Sequence, residues 1–274
     1  MRAYRIAYDG RPFHGFQRQP EVPTVEDALF DALRDLDVLE SDADRPDGYA
    51  AAGRTDAGVS ARAQTVAFEA PEWLTPRALN GELPAAVRAW ASADAPDGFH
   101  ATHDARERAY RYFLFAPGGA TAARAALDEP RLRGALDRLA GEHDFHNLTS
   151  DETGTVRELA TGVERDGDFL VVDVRAGGFA RQLVRRVVGL AVEIARDGSP
   201  PGKVERVLAA EPLDGPEGVA PAPAEPLVLW DVAYGLDFAV DTDAAESARV
   251  VFDRRGIERA TGARVAGAIG DGLE

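Results

Sequence analysis

The hydrophobic period of this sequence switches back and forth between two and about 3.6 residues, and that alternation restricts the chain to a mixed α+β fold. RAYRIAYDG alternates and then turns, which predicts a strand over residues 2–8. PTVEDALFDALRDL places Val25, Ala28, Leu29, Ala32, Leu33 and Leu36 at helical spacing, with Thr24 and Asp27 in a capping-box pattern. Strands are predicted at 63–70, 86–95 and 107–116, and a short helix at 75–83 with Thr75 as cap and Pro76 in its first turn. The second half repeats this grammar. A helix is expected over 129–140, strands near 157–164 and 168–176, and a helix from about 179 to 196 that stops at Gly198-Ser-Pro-Pro. A short helix at 202–210, the loop GPEGVAPAPAEP and the strand LVLWDVAYG follow, and the tail from Asp241 reads as helix. This order suggests two α+β halves, each an antiparallel sheet backed by helices. The division is expected near residue 105, giving 1–105, 106–238 and an extension over 239–274.

Charge needs a separate argument. Asp and Glu number 47 against 31 Lys and Arg, for a net charge of −16, and Lys203 is the sole lysine. Acidity alone argues against nucleic acid. An acid excess with almost no lysine also fits a protein adapted to high salt, where charge is strongly screened. Local clusters then carry more information than the total. Arg2, Arg5, Arg11 and Arg18 form one, Arg106, Arg108 and Arg111 a second, and Arg181, Arg185 and Arg186 a third. Each is also what a solvated face looks like.

The absence of Cys excludes disulfides, thiolate nucleophiles and zinc–thiolate sites. MRAYRIAYDG lacks the apolar stretch of a signal peptide, and no run approaches the roughly 18 apolar residues that span a bilayer. A cytoplasmic protein is expected. HATH (100–103) and HDFH (143–146) pair histidines three apart, but no carboxylate is placed to complete a metal site. Neither a dinucleotide fingerprint nor a triphosphate loop is present, and neither Ser60 nor Ser150 stands in a nucleophile elbow. No cofactor is implied.

The loop GRTDAGVSARAQ (53–64) follows the small-residue stretch YAAA, a plausible strand end. Asp56 beside a glycine is what a turn requires. It is equally what a nucleophile or base requires, if an arginine keeps it ionised. Tyr110 and Tyr112 lie two apart on a strand and share a face, with Arg111 opposite; packing and base stacking both account for them. On the long helix Phe179, Leu183, Val187, Leu190, Ala191 and Ile194 share an apolar arc at about 100° per residue. Arg185 borders the valine side of that arc, where its head can reach a cleft, and Gly189 one turn later is expected to leave open space. Periodicity does not choose between Arg181, Arg185 and Arg186.

Five fragments in order resemble the TruA-type tRNA pseudouridine synthases: YDGRPFHGFQRQP, GRTDAGVSARAQ, FHATHDARERAYRYFLF, GGFARQLVRRVVG and APAEPLVLWDVAY. The resemblance spans roughly residues 3–236. It implies that Asp56 is the catalytic aspartate, with Arg54 beside it in the loop. It implies that Tyr110 stacks near the target uracil and that Arg185 pairs with the aspartate. Gln17, Arg18 and His100 match motif positions that line the RNA cleft. The implied fold is two ferredoxin-like halves around a basic cleft, and the implied assembly is a homodimer gripping one tRNA. The implied reaction is isomerisation of uridine to pseudouridine in the anticodon stem-loop. Ser60 replaces the family's usual His, Leu183 its Met, and Pro226 stands where Gly is common; the tail beyond about residue 238 has no counterpart. A non-catalytic RNA-binding protein on the same fold is the alternative. A carboxylate-dependent hydrolase would need a second acid against Asp56.

Overall fold

The computed structural model describes residues 1–117, 127–213 and 215–273. Among the described residues, ten strands make one mixed sheet: β1 (Arg2–Tyr8), β2 (Ala50–Ala51), β3 (Ser60–Phe68), β4 (Val87–Asp94), β5 (Glu107–Phe115), β6 (Gly141–Asp144), β7 (Val156–Asp166), β8 (Phe169–Ala176), β9 (Leu227–Ala233) and β10 (Ala239–Val240). Their spatial order is β10-β4-β1-β3-β9-β5-β8-β7-β6, with β2 paired to β3. The two groups of strands meet at β9. It runs antiparallel to β5 and parallel to β3, the latter through Ser60 opposite Val228 and Ala61 opposite Leu229. The expected division near residue 105 falls in the link between β4 and β5.

The helices form where caps and apolar faces coincide. Helix α1 (Val25–Asp35) begins where Thr24 Oγ1 accepts from the Asp27 N–H at 3.2 Å, and it buries Leu29, Phe30 and Leu33. Helix α2 (Pro76–Glu82) begins the same way, with Thr75 Oγ1 accepting from Ala78 N–H at 3.1 Å. Helix α3 (Glu129–Leu139) is capped by Asp128. These helices and α4 (Leu183–Ala195) cover two cores. Tyr4, Ile6, Phe16, Leu33 and Phe68 lie in one; Leu132, Leu136, Phe145, Val187 and Ile194 lie in the other. Tyr110 packs against both. Its neighbour Arg111 points to the opposite face, where it pairs with Asp173 at 2.9 Å and lies 4.1 Å from the Trp230 ring centre.

Two expectations are corrected. Helix α4 starts at Leu183 rather than near 179, because Gln182 takes a left-handed conformation (φ 58°) that a helix interior does not accept. Helix α5 is confined to Lys203–Val207. The HDFH segment ends the short strand β6 and enters a 3₁₀ turn at His146–Leu148. The tail does form a helix, α6 (Thr242–Asp271), with Asp241 Oδ1 accepting from Ala244 N–H at 3.0 Å. Among the described residues no helix is long and apolar enough to cross a membrane.

Candidate active site

The loop between β2 and β3 is shaped by backbone chemistry. Val59 N–H donates to the Asp56 carbonyl at 3.1 Å, closing a turn in which Gly58 holds φ +83°. Asp56 is thus a turn residue through its backbone, and its carboxylate is left to face outward. The segment 8–16 lies beneath. Phe16 N–H donates to the Thr55 carbonyl at 3.1 Å, and the Tyr8 and Thr55 hydroxyls are 2.7 Å apart. Gly15 holds φ +102°, a conformation strained for any residue with a side chain, and a Cβ there would lie a tight 3.0 Å from the Thr55 carbonyl oxygen. Arg108 fixes the strand end from the other half of the chain. It donates to the carbonyls of Ala52 (2.6 Å), Thr102 (2.7 Å) and Gly177 (2.7 Å).

Helix α4 brings the arginine. Arg185 Nη1 donates to Asp56 Oδ2 at 2.8 Å. Its Nε donates to the Ala222 carbonyl at 2.8 Å, and its own carbonyl accepts from Ala222 N–H at 2.9 Å. The guanidinium therefore bridges the aspartate and a backbone carbonyl; it does not grip the carboxylate with two parallel bonds. Arg186 turns away and donates to the Val219 carbonyl at 2.6 Å. The open space expected beside Gly189 is filled. A Cβ there would lie 2.3 Å from the Ala220 carbonyl oxygen, so glycine lets the 219–222 segment close onto the helix and hold Arg185.

Tyr110 stands between these elements, edge-to-face with Phe179 at 5.3 Å and 86°. Burial pushes its phenol up to about 12; Arg108 opposes that shift and Asp56 adds to it. Phe179 was legible only as part of a helical arc, yet it lies in the loop before α4, where Gln182 redirects the chain.

Asp56, Tyr110 and Arg185 open onto a cleft of about 1410 Å³ that Gln17, Arg54 and His100 also line. The lining carries Arg45, Arg54, Arg108, Arg157, Arg181 and Arg185 against Glu26, Asp56 and Asp151. Six cations against three carboxylates make a basic cavity in a chain of charge −16. Arg45 and Arg157 belong to none of the clusters that spacing picked out. Arg18 does not line this cleft. Its Nε donates to Asp27 Oδ1 at 2.9 Å and its Nη1 to the Asp44 carbonyl at 2.8 Å. Among the described residues, no group of three or more His, Asp or Glu side chains is placed to hold a metal ion.

Comparison with known proteins decides the family. The chain is 60% identical to the tRNA pseudouridine synthase A of Haloarcula marismortui over 275 aligned positions, covering 100% of both chains. It belongs to the tRNA pseudouridine synthase family. A profile described as "tRNA pseudouridine synthase" matches residues 135–235. The corresponding protein of Natronomonas pharaonis is 62% identical over 98% of each chain, and that of Methanothrix thermoacetophila 41% over 85% of this chain and 82% of its own. A crystal structure of a Cbf5-Nop10-Gar1 complex overlaps with a TM-score of 0.34 at 14% identity, covering 67% of this chain and 46% of that one. As a member of this family the chain is an isomerase whose substrate is tRNA. Its halophile relatives fit the acidic, lysine-poor composition.

The three departures from the family pattern have definite surroundings. Ser60 Oγ accepts from Gly10 N–H at 3.0 Å. Leu183 is buried in the second core. The Pro226 carbonyl accepts from Phe113 N–H at 3.1 Å.

Proposed function

We propose that the cleft receives a uridine of the tRNA anticodon stem-loop and that Asp56, Arg185 and Tyr110 carry out its isomerisation. The observation that carries this reading is the 2.8 Å contact between Asp56 and Arg185 in a basic cleft beside Tyr110. The reaction breaks the N1–C1′ bond, turns the detached uracil and forms a C5–C1′ bond; N1 gains a proton and C5 loses one. There is no net redox change and no net uptake of water. The uridine must first leave its stack, at a cost of a few kcal/mol. Arginines on phosphates and a ring for the base to stack on offset that. Arg185 orients Asp56 through a charge-assisted hydrogen bond. Asp56 starts the reaction as nucleophile or base. Tyr110 enters it as a neutral phenol, since burial pushes its pKa above the ordinary tyrosine value.

Arg54, Gln17 and His100 line the same cleft and are the side chains we assign to the RNA. The two cores are read as ferredoxin-like halves, 1–105 and 106–238, with 239–274 as an appended helix. A homodimer acting in the cytoplasm and gripping one tRNA across both subunits completes the proposal. Incubation with unmodified tRNA followed by carbodiimide mapping tests it. Pseudouridine in the anticodon stem-loop, without base release, is expected. Free uracil would point to a hydrolase, and unchanged tRNA that is nonetheless bound would point to a binding protein.

A further inference from the structure

The carboxylate of Asp9 is almost wholly removed from water, with the residue 4% exposed. Such a charge is stable only with partners. Among the described residues, the side chains that donate to it are Arg255, at 2.7 Å, and Arg259, both on Oδ2 and both from helix α6. These two contacts join opposite ends of the chain. Arg255 also lies near Arg88, whose pKa is lowered by burial and then by Arg255. Arg255 and Arg259 are both gathered on one buried carboxylate oxygen.

Asp9 adjoins the residue that touches the aspartate loop. Gly10 sits so close to that loop that a Cβ on it would lie 2.1 Å from the Val59 carbonyl oxygen. Its N–H donates to Ser60 Oγ at 3.0 Å. Val59 in turn donates to the Asp56 carbonyl. The route from α6 to the candidate nucleophile runs through Asp9, Gly10 and Val59, all at contact distance. Beyond Gly256 every described residue of α6 is exposed, and Arg259 reaches from that stretch back to Asp9.

We propose that helix α6 is a strut for the aspartate loop: Arg255 and Arg259 fix Asp9, which fixes Gly10 against Val59 and so sets where Asp56 sits relative to Arg185. They are positioning residues. The inference rests on the reading of Asp56 as the catalyst.

The test compares four variants of the full chain for turnover at saturating tRNA, tRNA affinity and melting temperature, with rates taken well below each melting point. Arg255→Met with Arg259→Met should lower kcat at least tenfold and leave tRNA Kd within about twofold. Arg255→Lys with Arg259→Lys, which keeps the charge, should recover most of that loss. Arg77→Met removes another α6 contact, the 2.8 Å pair with Asp243, and should leave kcat unchanged. If the double Met variant fails to fold, adding Asp9→Asn removes the buried charge, and the triple variant should fold with kcat still at least tenfold low. Wild-type kcat in the double or triple variant would overturn the proposal. So would an equal loss in Arg77→Met, which would mean that α6 acts through general stability. Asp56→Asn is run alongside. If it retains turnover, the assignment of Asp56 fails; if it is inactive while the double Met variant is fully active, the strut alone fails.

Discussion

Replacing Arg185 by lysine keeps a positive charge on α4 but removes the fork that makes two contacts at once. The guanidinium spends Nη1 on Asp56 Oδ2 and Nε on the Ala222 carbonyl, each at 2.8 Å. An ammonium is a single point on a flexible stem and meets one of the two well, not both in the same geometry. A hydrogen bond to a charged group contributes about 1.5–3 kcal/mol. The Asp56 side chain is 36% exposed, so solvent screening argues for the lower part of that range. A loss of about 1–2 kcal/mol corresponds to a turnover roughly 5–30-fold lower. Arg186→Lys should change turnover less than about twofold, because Arg186 bonds to Val219 and does not reach Asp56. The assay is single-turnover pseudouridine formation at saturating tRNA, with melting temperatures for both variants. Arg185→Lys should shift the melting temperature by only a few degrees, and its defect should persist at higher salt, since a half-buried pair is screened less than exposed phosphate contacts. Equal losses in the two lysine variants would refute the reasoning, as would a defect in Arg185→Lys that more tRNA fully restores.

Asp56→Asn should abolish turnover while tRNA binding survives, because the amide keeps the shape but is neither nucleophile nor base; gel-shift and pseudouridine mapping on one sample check both halves. Tyr110→Phe should retain binding and turn over more slowly, whereas Tyr110→Ala should also weaken binding, since stacking contributes about 1–3 kcal/mol per base; identical behaviour of the two variants in both assays would exclude stacking. Gly189→Ala should cost about 1–3 kcal/mol in urea unfolding and lower turnover as well, because its Cβ displaces the 219–222 segment that holds Arg185. Arg18→Ala should cost at most about 1 kcal/mol of stability and leave tRNA affinity nearly unchanged, since its guanidinium is committed to Asp27 and Asp44; a tenfold weaker Kd would put Arg18 back on the RNA.

Helices α1 and α2 were legible because their caps and apolar faces are local: Thr24 and Thr75 stand where the sequence pattern puts them. The long antiparallel strands were legible through their alternation. What escaped were features set by residues distant in sequence. No local pattern in LVLWDVAYG announces that β9 lies parallel to β3, because that pairing is decided by the filling of the sheet. The start of α4 was misplaced because periodicity registers Phe179 as apolar but not that Gln182 must be left-handed to bring it against Tyr110. The space beside Gly189 was misjudged for the same reason. A glycine says that something approaches or that nothing does, and only the 219–222 segment decides which. In the candidate site, Asp56 and Arg185 came together because motif order named both; helix periodicity alone left three arginines. Arg45 and Arg157 stand isolated among acidic or neutral neighbours, and only folding carries them to the cleft.

A net charge of −16 and a polyanionic substrate are compatible because the two act over different lengths. At physiological ionic strength charges separated by more than about 8 Å are largely screened, and at 1 M salt by more than about 3 Å. An approaching phosphate therefore responds to the cleft and not to the whole surface. In the cleft Arg185 is neutralised by Asp56, and Arg108 is turned inward onto three carbonyls. Of the other four lining cations Arg45 and Arg54 are exposed, Arg157 is half-buried, and Arg181 lies 3.8 Å from Asp151. High salt weakens such exposed contacts with phosphate much more than it weakens the Asp56–Arg185 pair. A protein working in salt must then take a larger share of its grip on the target from contacts that screening does not reach. On the reading proposed for this cleft, the Tyr110 and Phe179 rings, set edge-to-face at its wall, would supply contacts of that kind.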